Sequence, residues 1–195
     1  MDELKQLKDI LLKDRSASWD EFPDIGLYKD QVVSYISKQL INFDDREQLT
    51  SAMINNYIKG NLLPRPDGKK YTKEHLAGLI EICILKQVLT VGDTGFLLQK
   101  ELEDSNFELF YGKFRQAIDD SMSKLAEQVD INWGLQNLSD IALHMAVSSY
   151  SYKLVCERLV EIIRSKSDTE DLKAEDKKEN KQTKKSEKKA EKQQT

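Results

Sequence analysis

The stretch TKEHLAGLIEICILKQVL, residues 72–89, constrains this chain more than any other. Its Leu76, Leu79, Ile80, Ile82, Cys83, Ile84 and Leu85 leave almost no polar side on a helical wheel. A helix that is apolar nearly all round has to be enclosed by others, so the rest of the chain must supply amphipathic helices to surround it. It does. Residues 1–14 place Leu4, Leu7, Leu11 and Leu12 on one stripe, with Ile10 beside it. A three-turn helix begins near Lys29 and carries Val32, Val33, Tyr35, Ile36 and Leu40. The run LTSAMINNYIKG gives a helix of about ten residues, with Thr50 or Ser51 as cap and Gly60 or Asn61 as its left-handed end. Thr90 and Asp93 have capping-box spacing before a short helix that reaches about Glu103. Longer amphipathic helices run roughly from Phe107 to Gln128 and from Leu135 to Ser165, and these two form a separate interaction layer. The fold class is therefore mainly α.

Between these helices, Ser16–Leu27, with Pro23 and Gly26, reads as an ordered connector, and the polar, acidic segment Ile41–Gln48 reads as a loop. With 195 residues, 39% of them hydrophobic, the chain can bury one fair-sized core or two small ones. Cys83 and Cys156 sit far apart in apolar helical patterns, which predicts buried thiols and a reducing compartment. The N-terminus is charged throughout and has no uninterrupted apolar run, so neither a signal peptide nor a membrane span is expected and the expected location is cytoplasmic. From Lys166 onward the chain is dominated by Lys, Glu, Asp, Gln and Ser, with ten Lys against eight acidic residues, and a disordered tail is expected.

The net charge of −4 hides an uneven distribution. Residues 59–73 hold Lys59, Arg65, Lys69, Lys70 and Lys73 against Asp67 alone. Within them, LLPRPDGKKY places Pro-Asp-Gly, a turn signal, between two short arms, LLPR and KKYT. The expectation is a small β-hairpin wing, packed through Leu62, Leu63 and Tyr71, with Arg65, Lys69 and Lys70 at its exposed tip. On the preceding helix, Ser51, Asn55, Asn56 and Lys59 lie largely opposite the apolar positions Leu49, Met53, Tyr57 and Ile58. Amides, a hydroxyl and a cation on one face suit base edges and phosphates. The same residues also read as a solvated polar face and a plain surface hairpin whose lysines confer solubility.

Catalysis finds no comparable support. His75 and His144 have no second ligand at i+3 or i+4, and there is no Cys-x-x-Cys, Gly-rich phosphate loop, nucleophile elbow or H-E-x-x-H. The reading is of a non-enzyme without metal or cofactor.

The segment LTSAMINNYIKGNLLPRPDGKKYTKEHLAGLIEICILKQVLTVGDTGFLL resembles the winged helix-turn-helix of MerR-type regulators. Tyr57, the corner Asn61-Leu62-Leu63-Pro64, Lys69-Lys70-Tyr71 and Thr72-Lys73-Glu74-His75-Leu76 match in kind and order. MINNYIKGNLLPRP with the downstream ICILKQVL also looks like the bacterial family known as domain of unknown function 1836, over about residues 20–105. The MerR resemblance implies a helix in the major groove, a wing on the backbone and a C-terminal helix that dimerises, and it makes Ser51, Asn55, Asn56, Lys59, Arg65, Lys69, Lys70 and Tyr71 the candidate DNA-binding set. Two features depart from it: the loop Ile41–Gln48 is longer than the usual turn, and Asn55-Asn56 stand where many members have Arg-Tyr.

The resulting organisation is an N-terminal helix and linker (1–19), a MerR-like winged domain (20–105), a helical dimerisation or effector region (106–165) and a disordered tail (166–195). The expected function is a DNA-binding transcriptional regulator that binds double-stranded DNA as a homodimer without membrane association, its effector undefined. The alternative is a helical adaptor that uses the same fold against a protein.

Overall fold

The computed structural model describes residues 2–40 and 48–191, with side chains at 168 and 170–191 not described. Among the described residues there are seven α-helices and no β-strand. The helices are α1 Asp2–Lys13, α2 Lys29–Ile36, α3 Ser51–Lys59, α4 Lys73–Leu85, α5 Val91–Glu103, α6 Phe107–Gln128 and α7 Leu135–Glu191. The loop expected at Ile41–Gln48 lies, but for Gln48, outside the described residues; the tail expected to be disordered from Lys166 instead continues the backbone of α7 to Glu191, and 192–195 lie outside the described residues. The chain divides into two units, Met1–Val147 and Ser148–Thr195.

In the first unit α4 is the central helix. Its Leu76, Ala77, Leu79, Ile80 and Ile82 are buried, and α2, α5 and α6 pack around it. Local chemistry sets the helix ends. Thr50 accepts a hydrogen bond from the Met53 N–H through its hydroxyl, Thr90 does the same for Asp93, and Asn106 accepts from the Leu109 N–H through its side-chain oxygen. Asn61, at φ +58°, takes the left-handed position that ends α3. The corner that follows is a wedge. Leu63 is buried against α4, where a Cβ on Gly78 would come within 3.1 Å of it, and Leu62 fills the notch at Gly95 of α5.

Two apolar clusters lie along α6. The larger one, around α4, takes in Phe110 and Tyr111 and has Phe114 at its margin. The smaller one joins Leu11 of α1 to Ala126 and Val129, with Met122, Leu125 and Trp133 around it. Phe110, Tyr111 and Phe114 thus pack with the larger cluster and Trp133 with the smaller. Tyr111 also donates its hydroxyl hydrogen bond to the Ala17 carbonyl at 2.7 Å, fixing the connector to α6.

The second unit is a length of α7. Its apolar side chains at Tyr150, Tyr152, Leu154, Val155, Leu159, Ile162 and Ile163 are exposed, Tyr152 by 78%.

Candidate nucleic-acid interface

The expected hairpin wing is replaced by an irregular loop. Gly68, at φ +59°, and the Lys70 N–H to Asp67 carbonyl bond of 3.0 Å close the predicted turn, yet the arms do not pair beyond it. Pro64 and Pro66 explain this. Neither Pro64, in the first arm, nor Pro66, at the start of the turn, has an N–H, so a short ladder there would lack two donors.

The second arm pairs elsewhere. Tyr71 and Leu27 exchange two backbone hydrogen bonds, each 2.9 Å, in an isolated antiparallel bridge. Lys70 crosses Gly26 so closely that a Cβ at position 26 would lie 2.8 Å from the Lys70 Cβ. Three residues after Gly26, Lys29 at the start of α2 donates to the Asn55 side-chain oxygen of α3 at 2.6 Å. The segment Gly26–Lys29 thus joins the basic loop to the polar face of α3. These were separate features in the sequence, and the structure brings them together.

The members of the candidate set differ in placement. Asn55, Asn56 and Lys59 are exposed on α3, Ser51 is half-buried in its first turn, and Arg65, Lys69 and Lys70 are exposed on the loop. None of Lys59, Arg65, Lys69 and Lys70 forms an ion pair with another described residue. Lys73 is tied to Asp24 at 2.7 Å instead. Tyr71 is the exception: its ring is buried, edge-on to His75 at a centroid distance of 5.3 Å, and burial raises its phenol pKa. Its contribution is to hold the loop. Asp24, Asp30 and Asp67 are the exposed carboxylates of this region. Ile25 and Tyr28, 74% and 54% exposed, lie in and beside the joining segment.

His75 supports the loop from beneath. Its Nδ1 accepts the Thr72 N–H at 3.0 Å, and its buried ring lies by the Pro64–Arg65 backbone without a hydrogen bond of ordinary geometry at Nε2. Burial lowers its pKa, so the neutral imidazole caps α4. The sequence placed His75 early in this helix but gave no sign of its burial. Lys29, Gly26 and Tyr28 were also missed, since their partners are distant in sequence.

Glu81 was passed over as well. It sits in the middle of α4, 1% exposed, with its Oε1 unpartnered and its pKa pushed up to about 8 by burial. Among the described residues no group of three or more His, Cys, Asp or Glu is placed to hold a metal, and no helix is long and apolar enough to cross a membrane.

The first unit is therefore an all-helical domain that carries an open face of amides and cations. The chain belongs to the family described as domain of unknown function DUF1836, whose model matches residues 17–114. That match runs into α6 and includes the Tyr111 anchor. Compared with curated proteins and with solved structures, the chain has no match.

Proposed function

We propose that the protein is a non-catalytic, DNA-binding transcriptional regulator of MerR-like kind that acts as a homodimer on double-stranded DNA. In this reading α3 presents Asn55, Asn56 and Lys59 to base edges and neighbouring phosphates. The loop fixes register with Arg65, Lys69 and Lys70, without a hairpin wing. The observation that carries the reading is the junction of loop and helix through Gly26–Lys29, with four exposed cations not ion-paired among the described residues. Dimerisation would use the exposed apolar face of α7 and would set two such faces on two half-sites.

Counterion release supplies the test. Four phosphate contacts per protomer give a slope of log K against log salt of about −3 to −4, or roughly a hundredfold loss of affinity between 50 and 200 mM salt. Lys69→Ala/Lys70→Ala should reduce that slope by about 2 per protomer. Duplex binding with no salt dependence, or a slope untouched by the double substitution, would rule the reading out. The exposed Ile25 and Tyr28 favour one competitor, a protein partner on the same face, because apolar side chains gain little from phosphate. That partner would be lost in Ile25→Asp while any binding to DNA stayed unchanged.

A further inference from the structure

We propose that the groove between the C-terminal half of α4 and the middle of α6 binds an amphipathic carboxylate the size of a fatty acid. The groove arises from the way α6 is covered. Helix α4 packs on its first turns and α1 on its last, so the two apolar clusters end at Phe114 and begin again at Met122. Among the described residues, the face between them that carries Ala117 and Ile118 is left open opposite Ile80 and Ile84. The opening has a volume of about 710 Å³, within the roughly 300–1,000 Å³ of small-molecule sites. Gln39 and Leu40, the last described residues before 41, line one side of it. Burial pushes the thiol of Cys83, also in the wall, up to about 11, as an apolar lining would.

The charges at the rim select the head group. Arg15 and Arg115 share one carboxylate: Asp119 takes Arg15 on one oxygen at 3.0 Å and Arg115 on the other at 3.9 Å. Lys86 adds a third cation to the lining and Asp14 a second carboxylate, which leaves one positive charge in excess. The arginines are already oriented. Arg15 donates to the Leu11 and Asp14 carbonyls, and Arg115 to the Ser16 carbonyl at 2.9 Å. Planar guanidiniums held this way suit a carboxylate, while a cationic head would meet like charge. An apolar trough with a singly positive rim therefore fits a singly charged anion with a straight apolar tail. The proposal does not rest on DNA binding, since none of its residues belongs to the basic face.

The test is calorimetric titration of the full chain with dodecanoate, kept below its micelle concentration, beside dodecylammonium, which has the same tail and the opposite head. Dodecanoate should bind at least tenfold more tightly, and shifts on binding should concentrate in the Ile84 and Ile118 methyl signals. Ala117→Trp fills the groove from an exposed position and should weaken dodecanoate at least tenfold with the circular dichroism spectrum unchanged. Arg115→Gln should narrow the preference between the two heads. If that variant fails to fold, the head-group comparison and Ala117→Trp still decide. No binding of dodecanoate, equal binding of the two amphiphiles, or undiminished binding in Ala117→Trp would each overturn the proposal.

Discussion

Between pH 5 and pH 8 the native chain is expected to lose stability, and Glu81→Gln is expected to abolish most of that loss. Glu81 is buried in α4 and holds its proton up to about pH 8 in the folded state, whereas in the unfolded chain it ionises near 4.5. Between those values the unfolded state binds fewer protons than the folded one, so unfolding becomes easier as pH rises. The contribution is fully present below 4.5 and is lost progressively up to about 8, at about 1.4 kcal/mol per pH unit, or about 3 kcal/mol by pH 7. Glutamine cannot ionise, so the variant should show a nearly flat profile from this site. Urea midpoints at pH 5, 6, 7 and 8 measure it, provided the m value is constant. Parallel profiles for the two proteins would mean that Glu81 is ionised in the fold.

The second large effect concerns self-association, which rests on the homodimer reading. Tyr152, Val155, Leu159 and Ile162 follow one another at steps of three, four and three, the spacing of a coiled-coil seam, and all are exposed in the second unit. Fully burying a Leu or Ile side chain contributes about 1.5–3 kcal/mol, and a symmetric interface counts each residue twice. Both side chains are already about half covered, so the four of them in a dimer contribute about 3–6 kcal/mol together, and Leu159→Asp/Ile162→Asp should weaken association on the order of 10²- to 10⁴-fold. By sedimentation equilibrium, the native chain should have about twice its 22.5 kDa chain mass and the variant the chain mass alone. A native chain that sediments at 22.5 kDa across the micromolar range would remove α7 as the dimer element.

Much of the helical framework was legible in the sequence because its signals are local. Thr50, Thr90 and the apolar run from Leu76 to Leu85 each act over a few helical turns; α3, α5 and α6 stand within a residue or two of their predicted places, and α4 starts where predicted but ends at Leu85, four residues short of the 72–89 stretch. The turn at Asp67–Lys70 was legible for the same reason. What followed the turn was not, because the choice between a hairpin and a bridge to Leu27 depends on a residue far along the chain. The Pro-Asp-Gly turn signal alone suggested a hairpin, although Pro64 and Pro66 have no N–H to pair. Glu81 escaped notice because an apolar helix can carry one carboxyl if that carboxyl stays neutral. The groove left no trace either: it is a seam between two clusters on one helix, and each cluster alone reads as ordinary core.

The reciprocal bridge between Leu27 and Tyr71 makes these two amides a matched pair of clocks. Each N–H is held by the other residue's carbonyl, so neither can exchange with deuterium while the basic loop rests on the connector. One opening event frees both, and their exchange should keep the same pace when the loop lifts without the rest of α4 unfolding. The free energy read from that common rate is that of docking the loop, and it is obtained without any ligand or substitution. Where it falls well below the value for the α4 interior, the loop is a unit that moves by itself on a folded base.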